Sequence, residues 1–335
     1  MRNLPPAHPN SWYVPAQSDE LTVGQVLTRR VAGHDVVLYR TKTGEVRAVN
    51  AYCPHMGAHL GHGGEVVEDT IRCPFHHFRF DAEGDCVSAY PGKKVPPACK
   101  LPTWPVQEKN GSIFVYWNAE GLAPGWEVPA LDTEGWRPIR HATWDLKGHP
   151  QECSENSVDI GHFAVVHEYS QIDELIPAHV DGHILHAKYH MHRDRGAMQP
   201  EVSTEFELWV HGLGYSVVQV YIERYDMHMR TFVMPCPTDE GHIALRLAVS
   251  MKSLDSKMAL HPLAALVPQA VLEWAIERGA LKAYTDDVRQ DFDVWNHKTY
   301  IPRPRLAAGD GPISLYRKYV RQFYPGGRVQ SAAAK

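Results

Sequence analysis

Two short runs in the first third of the chain carry residues that bind metals. They are Cys53-Pro54-His55 and Cys73-Pro74-Phe75-His76, a Cys-x-His and a Cys-x-x-His with 17 residues between them. Two thiolates and two imidazoles suit a [2Fe–2S] cluster in which the thiolates hold one iron and the imidazoles the other. The histidines raise its reduction potential above that of an all-cysteine cluster. A structural zinc ion takes the same donor set. Zinc sites usually group cysteine with cysteine and histidine with histidine, whereas here each loop carries one of each. The cluster is therefore the preferred reading. A proline follows each cysteine, and the first loop continues into Gly57, Gly61, Gly63 and Gly64. Such loops let backbone amides approach the sulfurs. His59, His62 and His77 lie close by and read as polar loop residues.

A second group follows at mid-chain. Asn156, Asp159 and His162 stand at i, i+3 and i+6, one face of a helix, and His167 comes five residues later. One ideal turn does not align both imidazoles, so the helix must bend or end between them. Two histidines and one carboxylate on one face of Fe(II) leave positions open for O₂. An acidic group, Asp287, Asp291 and Asp293, lies far downstream on a helical segment, and by itself reads as a solvated helix face.

These motifs resemble those of the Rieske non-haem iron oxygenases. C-P-H-M-G-A…C-P-F-H-H-F-R-F is similar to their Rieske domains, departing at His77–Phe78, where the family most often has a small or acidic residue and then Trp. N-x-x-D-x-x-H-x-x-x-x-H resembles their catalytic-iron motif over its full length. The resemblance implies that Cys53, His55, Cys73 and His76 hold the [2Fe–2S] cluster and that His162 and His167 bind a mononuclear Fe(II). It takes the third ligand from a late helix, where Gln290-Asp291-Phe292-Asp293-Val294-Trp295 matches. Asp291 is preferred, Asp287 is the alternative one turn earlier, and Asp293 is rotated away. It also implies that Asp159 bridges His76 of one subunit and His162 of its neighbour in a homotrimer, with Asn156 in the same network. A helix N-cap role for Asp159 is the weaker reading.

Further C-terminal matches, Gln290-Asp291…Trp295…His297-Lys298-Thr299…Asp310-Gly311-Pro312…Gln322-Phe323-Tyr324, are most similar to 3-ketosteroid 9α-hydroxylase oxygenase components, with cholesterol 7-desaturases related. Hydroxylation of a small, hydrophobic, steroid-like substrate is the lead this gives. Desaturation and O-demethylation use the same iron, and a pure Rieske electron carrier would need no His162, His167 or Asp291. No G-x-G-x-x-G unit is present. NAD(P)H is therefore expected to act only through a separate reductase, with or without a ferredoxin.

The elements that must position these residues are legible in outline. Residues 20–118 read as short β-rich segments broken by Gly, Asp, Asn and Pro, with the Pro/Gly/Glu-rich stretch 119–136 as a linker. Segments 203–222 and 228–251 read as strands joined by turns at Gly212–Gly214 and Asp239–Gly241. Pro268 opens a long amphipathic helical segment reaching Lys298. The expected class is α+β: a small antiparallel Rieske domain at 10–118, then a catalytic domain at 119–325 with an antiparallel sheet flanked by helices, then a frayed tail at 326–335. Phe206, Leu208 and Val210, then Val218, Val220 and Ile222, alternate; they could line an apolar pocket or be sheet core, and core is the preferred reading for most of them.

The chain has 335 residues, net charge −5, six cysteines and 21 histidines. The charge speaks against nucleic acid, and six cysteines are too sparse for a disulfide scaffold. With no apolar run of membrane-spanning length and no secretory h-region, a cytoplasmic enzyme is expected. Lys93, Lys94, Lys100, Arg72 and Arg79 flank the second cluster loop, and are expected to form a basic patch facing an acidic electron donor.

Overall fold

Two-residue turns set the strand pairing near the N-terminus. Ala32-Gly33 and Asn110-Gly111 both have positive φ at each position, the twist that a two-residue hairpin needs. In a computed structural model that describes residues 4–5, 8–90, 92–193, 202–253, 264 and 266–327, these turns close hairpins in two of three small antiparallel sheets. The strands are β1 (Ser11–Gln17), β2 (Val26–Val31), β3 (His34–Arg40), β4 (Val46–Asn50), β5 (Glu65–Val67), β6 (Thr70–Arg72), β7 (Arg79–Phe80), β8 (Cys86–Ser88), β9 (Val106–Lys109) and β10 (Ser112–Trp117). Their sheet orders are β1-β10-β9, β2-β3-β4 and β5-β6-β7-β8. Val37, Tyr39, Leu60, Ile71, Phe78 and Phe80 form the core beneath the two cysteine loops.

This unit comprises Asn10–Ala130 and Cys236–Glu240. The stretch read as a linker is therefore fixed to it as far as Ala130. Trp126 is buried, its carbonyl accepts from Trp12 Nε1 at 2.9 Å, and Asn110 Nδ2 holds Pro129 O at 2.9 Å. Aromatic burial overrides the loop-like Pro/Gly composition there.

The second unit is built on one seven-stranded sheet. Its strands are β11 (Arg140–Lys147), β12 (Tyr169–Asp181), β13 (Ile184–Arg193), β14 (Val202–His211), β15 (Tyr215–Ile222), β16 (Met227–Pro237) and β17 (His242–Met251), in the order β11-β17-β16-β15-β14-β13-β12. Strict alternation on β13 buries Leu185, Ala187, Tyr189 and Met191 on one face. That face packs Val158 and, from the C-terminal segment, Tyr316, Tyr319 and Phe323.

The helices are α1 (Pro150–Glu155), α2 (Ile160–Val165), α3 (Gln269–Val288), α4 (Gln290–His297) and α5 (Ile313–Tyr319). The expected single helix after Pro268 is thus two, and Pro268 is its N-cap rather than part of its first turn. The break at Arg289 is a tightened turn in which Phe292 N–H reaches Arg289 O, three residues back. The fold is the α+β arrangement expected. Among the described residues no helix is long and apolar enough to cross a membrane. Beyond Gly327 the expected tail lies outside the described residues.

Candidate metal centres

The two cysteine loops are copies of one hydrogen-bonding plan. Cys53 N–H reaches Ala58 O at 2.9 Å and Cys73 N–H reaches Phe78 O at 2.8 Å. Four residues after each cysteine, Gly57 N–H and His77 N–H return to the cysteine carbonyl at 2.9 and 3.1 Å. Closing so tight a loop puts that residue at positive φ, 75° for Gly57 and 59° for His77. His77 is exposed, as a polar loop residue should be. Phe78 is buried and stacks on His55 with centroids 4.3 Å apart. The departure at His77–Phe78 therefore shapes packing beside the site.

The donors converge. Cys53 and Cys73 are buried, and their thiols lie within hydrogen-bonding reach. Burial, with Cys73 adding to it, pushes the Cys53 thiol up to about 12, so a metal's charge is what would ionise it. The His55 and His76 rings are 4.8 Å apart at 74°. A single tetrahedral ion needs all its ligand atoms close together. Among the described residues, the only trio of such donors within 4.8 Å of one another lies elsewhere. The Cys53, His55, Cys73, His76 set fits a two-iron cluster better than one zinc.

That trio is His162, His167 and Asp291. His162 Nε2 lies 2.6 Å from Asp291 Oδ1, and His167 Nε2 lies 3.5 Å from Asp291 Oδ2. Asp291 is 3% exposed. Burial works to raise its carboxyl, but the hydrogen bonds to His162 and His167 outweigh it and hold Asp291 below the ordinary range. Two imidazoles and an ionised carboxylate suit a divalent iron. Asn156 Nδ2 approaches His162 Nε2 at 3.3 Å. Asp287 touches His167 from the other side of the ring, 3.7 Å from Nδ1, and Asp293 is solvent-exposed.

The local chain path differs from the expected continuous helix. After α1 a 3-10 turn covers Asn156–Val158, and Asp159 leaves helical geometry at φ −87°, ψ 89°. Asp159 Oδ1 accepts the His162 backbone N–H at 2.9 Å, which makes Asp159 the N-cap of α2. The cap reading, weaker in the sequence, is the one observed for this oxygen. α2 ends at Val165, so His167 lies beyond it, as the five-residue spacing required.

A cavity of about 700 Å³ opens on the trio, within the second unit. Phe206, Leu208, Val218, Val220 and Ile222 line it, and only Val210 of the six alternating positions is plain core. The opposite wall is α3, whose small residues Gly279, Ala280 and Ala283 face the cavity. These three were not singled out by sequence reasoning. Their helical spacing among larger residues was the available signal. A Cβ at Gly279 meets nothing within 4 Å. Gly279→Ala should raise stability by about 0.5–1 kcal/mol in thermal unfolding. Gly279→Leu should lower turnover of the bulkiest substrates by about 10-fold or more while sparing small ones. Equal turnover of both sizes would place the substrate elsewhere.

The expected basic patch is largely neutralised. Arg72 pairs with Glu65, Arg79 lies 3.5 Å from Glu68, and Lys100 is 2.9 Å from Asp85. Lys93 and Lys94 remain exposed.

A cluster-binding β unit and a buried two-histidine, one-carboxylate site under an apolar cavity define a Rieske-type oxygenase. Residues 11–105 match the Rieske [2Fe-2S] domain, and residues 115–324 match the 3-ketosteroid 9α-hydroxylase C-terminal domain. The chain belongs to the Rieske non-haem iron oxygenases with this type of C-terminal domain. It is 31% identical to the cholesterol 7-desaturase nvd of Bombyx mori over 96% of this chain and 70% of that protein. It is 27% identical to the oxygenase component of the 3-ketosteroid-9-alpha-monooxygenase of Rhodococcus rhodochrous, over 93% and 83%. Its fold is shared by dicamba monooxygenase bound to dicamba (19% identity, TM-score 0.66, covering 94% of this chain and 96% of that one). Pseudomonas putida CBB5 NdmA with caffeine shares it as well (17%, 0.73, 93% and 89%). The protein is a monooxygenase-class oxidoreductase that carries a [2Fe–2S] cluster and a mononuclear iron. It oxidises a small molecule with O₂, on electrons from a separate reductase or ferredoxin.

Proposed function

We propose that the chain hydroxylates a steroid-like substrate in the cavity above His162, His167 and Asp291. Cys53, His55, Cys73 and His76 hold the electron-supplying cluster, and the trio holds the iron. The observation that carries this reading is the cavity itself: about 700 Å³, walled by Phe206, Val218, Val220 and Met229, with all three ligand side chains on its surface. That volume lies within the usual range for small-molecule sites, about 300–1,000 Å³. The names of the steroid-acting relatives support the substrate class.

Bound at these sites, the mononuclear iron supplies O₂ activation and the cluster supplies electrons singly. The chain's own groups do the rest. Apolar walls exclude water and orient the substrate by shape, and Thr204 and Thr231 are among the few polar residues on them. Asp291 keeps two imidazole nitrogens directed at one point. Asp159 has a second oxygen for a contact outside its own helix. The family resemblance makes that contact a bridge from His162 to His76 of a neighbouring copy in a homotrimer, the electron-transfer route. A cytoplasmic reductase that uses NAD(P)H, directly or through a ferredoxin, completes the system.

The test is NADH-coupled O₂ uptake with a steroid panel against small aromatics. Anaerobically prepared protein should be red-brown, with about three iron atoms per chain. Steroids should stimulate uptake and yield a product one oxygen atom heavier. Uptake driven only by small aromatics would overturn the substrate class, and colourless protein carrying zinc would overturn the cluster. Loss of two hydrogens would favour desaturation, as the Bombyx mori relative suggests, and loss of a methyl would favour O-demethylation.

A further inference from the structure

Asp287 stands outside the ligand trio, yet it reaches the metal site from behind. At the end of α3, its Oδ1 lies 2.8 Å from Arg193 Nη1 on β13 and 3.7 Å from His167 Nδ1. His167 Nδ1 is buried with no hydrogen-bond partner, while His167 Nε2 faces Asp291. The two nitrogens of one ring therefore look at two different carboxylates. Metal binding through Nε2 uses the lone pair there and leaves the ring proton on Nδ1. A buried N–H of that kind needs an acceptor. Asp287 is the carboxylate on that side, and a shift of well under 1 Å brings it into range.

We propose that Asp287 is a positioning residue. It accepts the His167 Nδ1–H, fixes the tautomer and ring orientation that present Nε2 to the iron, and is itself held by Arg193. This rests on the reading of His162, His167 and Asp291 as the ligands. Arg193 suits its part: it is half-buried, and its guanidinium sits 5.2 Å over the Tyr169 ring, so its aim is constrained from a second direction. A ligand role for Asp287, the alternative from sequence, does not fit its position. It approaches the ring nitrogen opposite the one that faces Asp291, and it is absent from the trio whose donor atoms lie within 4.8 Å.

The test uses full-length protein with its cluster intact and its mononuclear site emptied by a chelator. Fe(II) affinity is then measured by anaerobic equilibrium dialysis, with the cluster's visible spectrum and circular dichroism as folding controls. Asp287→Ala should weaken Fe(II) binding about 10- to 100-fold, and Asp287→Asn less, because its amide oxygen still accepts a hydrogen bond. The double variant Asp287→Ala/Arg193→Met separates the two roles. If Asp287 orients His167, the double variant stays weak. If Asp287 only neutralises Arg193, removing both restores binding, and the proposal is overturned. Wild-type affinity in Asp287→Asn and in the double variant overturns it even if Asp287→Ala fails to fold. Complete loss of iron in Asp287→Ala, with iron retained in Asp291→Ala, would instead overturn the ligand reading and make Asp287 a ligand.

Discussion

Asp291→Ala is expected to strip the mononuclear iron and abolish product while leaving the cluster spectrum unchanged. Among the described residues, Asp291 is the one carboxylate that meets both imidazoles, at 2.6 Å from His162 Nε2 and 3.5 Å from His167 Nε2, and it is almost fully buried. Two neutral imidazoles without a carboxylate hold a hard divalent ion poorly, because no ligand then carries a charge to match its own. The alanine also leaves a small polar void beside Trp295, which is 3% exposed, and loses hydrogen bonds worth about 1.5–3 kcal/mol each when charged. A drop in melting temperature should therefore accompany the loss of iron. Iron per chain, measured beside the visible spectrum, should fall by about one atom from about three. Retained iron and turnover in Asp291→Ala would remove Asp291 from the site.

Asp159→Asn is expected to leave both metal centres loaded and the cluster reducible, yet to cut turnover by about 100-fold. The structure makes asparagine the right choice. Asp159 Oδ1 caps α2 by accepting the His162 N–H, and asparagine caps a helix about as well as aspartate. The cap, and with it the start of the helix that carries His162, is preserved, while the charge that would steady an imidazole partner is lost. Asp159→Ala removes both and should lose about 1 kcal/mol of stability as well. Comparing the two separates capping from coupling. Normal turnover in Asp159→Asn with reduced stability in Asp159→Ala would make Asp159 a cap alone. An active enzyme that is strictly monomeric would remove the bridge between chains.

Much of the site was legible because its chemistry is local. Cysteine and histidine two or three residues apart on a Pro-containing loop define half of a cluster site whatever surrounds them. The Asn110-Gly111 hairpin turn is local in the same sense, since its conformation belongs to the residues themselves. The linker and the helix were read less well. Trp126 is fixed by a hydrogen bond to a residue 114 positions away, which no local composition records. The helix through Asn156, Asp159 and His162 has the right period, yet Asp159 ends one turn and caps the next. A side chain that satisfies a backbone N–H competes with the helix it interrupts.

By itself, then, the sequence determined which residues are chemically able to hold metal, the α+β class, and the need for a distant carboxylate. The family match prefers Asp291 to Asp287 and Asp293, but only the tertiary structure brings it within reach of both imidazoles. Residues 129 positions apart in the chain meet at 2.6 Å, and the tightened turn between α3 and α4 separates a carboxylate facing Nε2 from one facing Nδ1. It decided the cavity as well. Alternating apolar residues on a strand look the same whether a helix packs against them or stands off; here Ile276 and Ala280 of α3 pack on the cluster around Val220 and Met229, while open space remains at Gly279. A volume enclosed between two elements is a property of their separation, which no pattern along either one encodes.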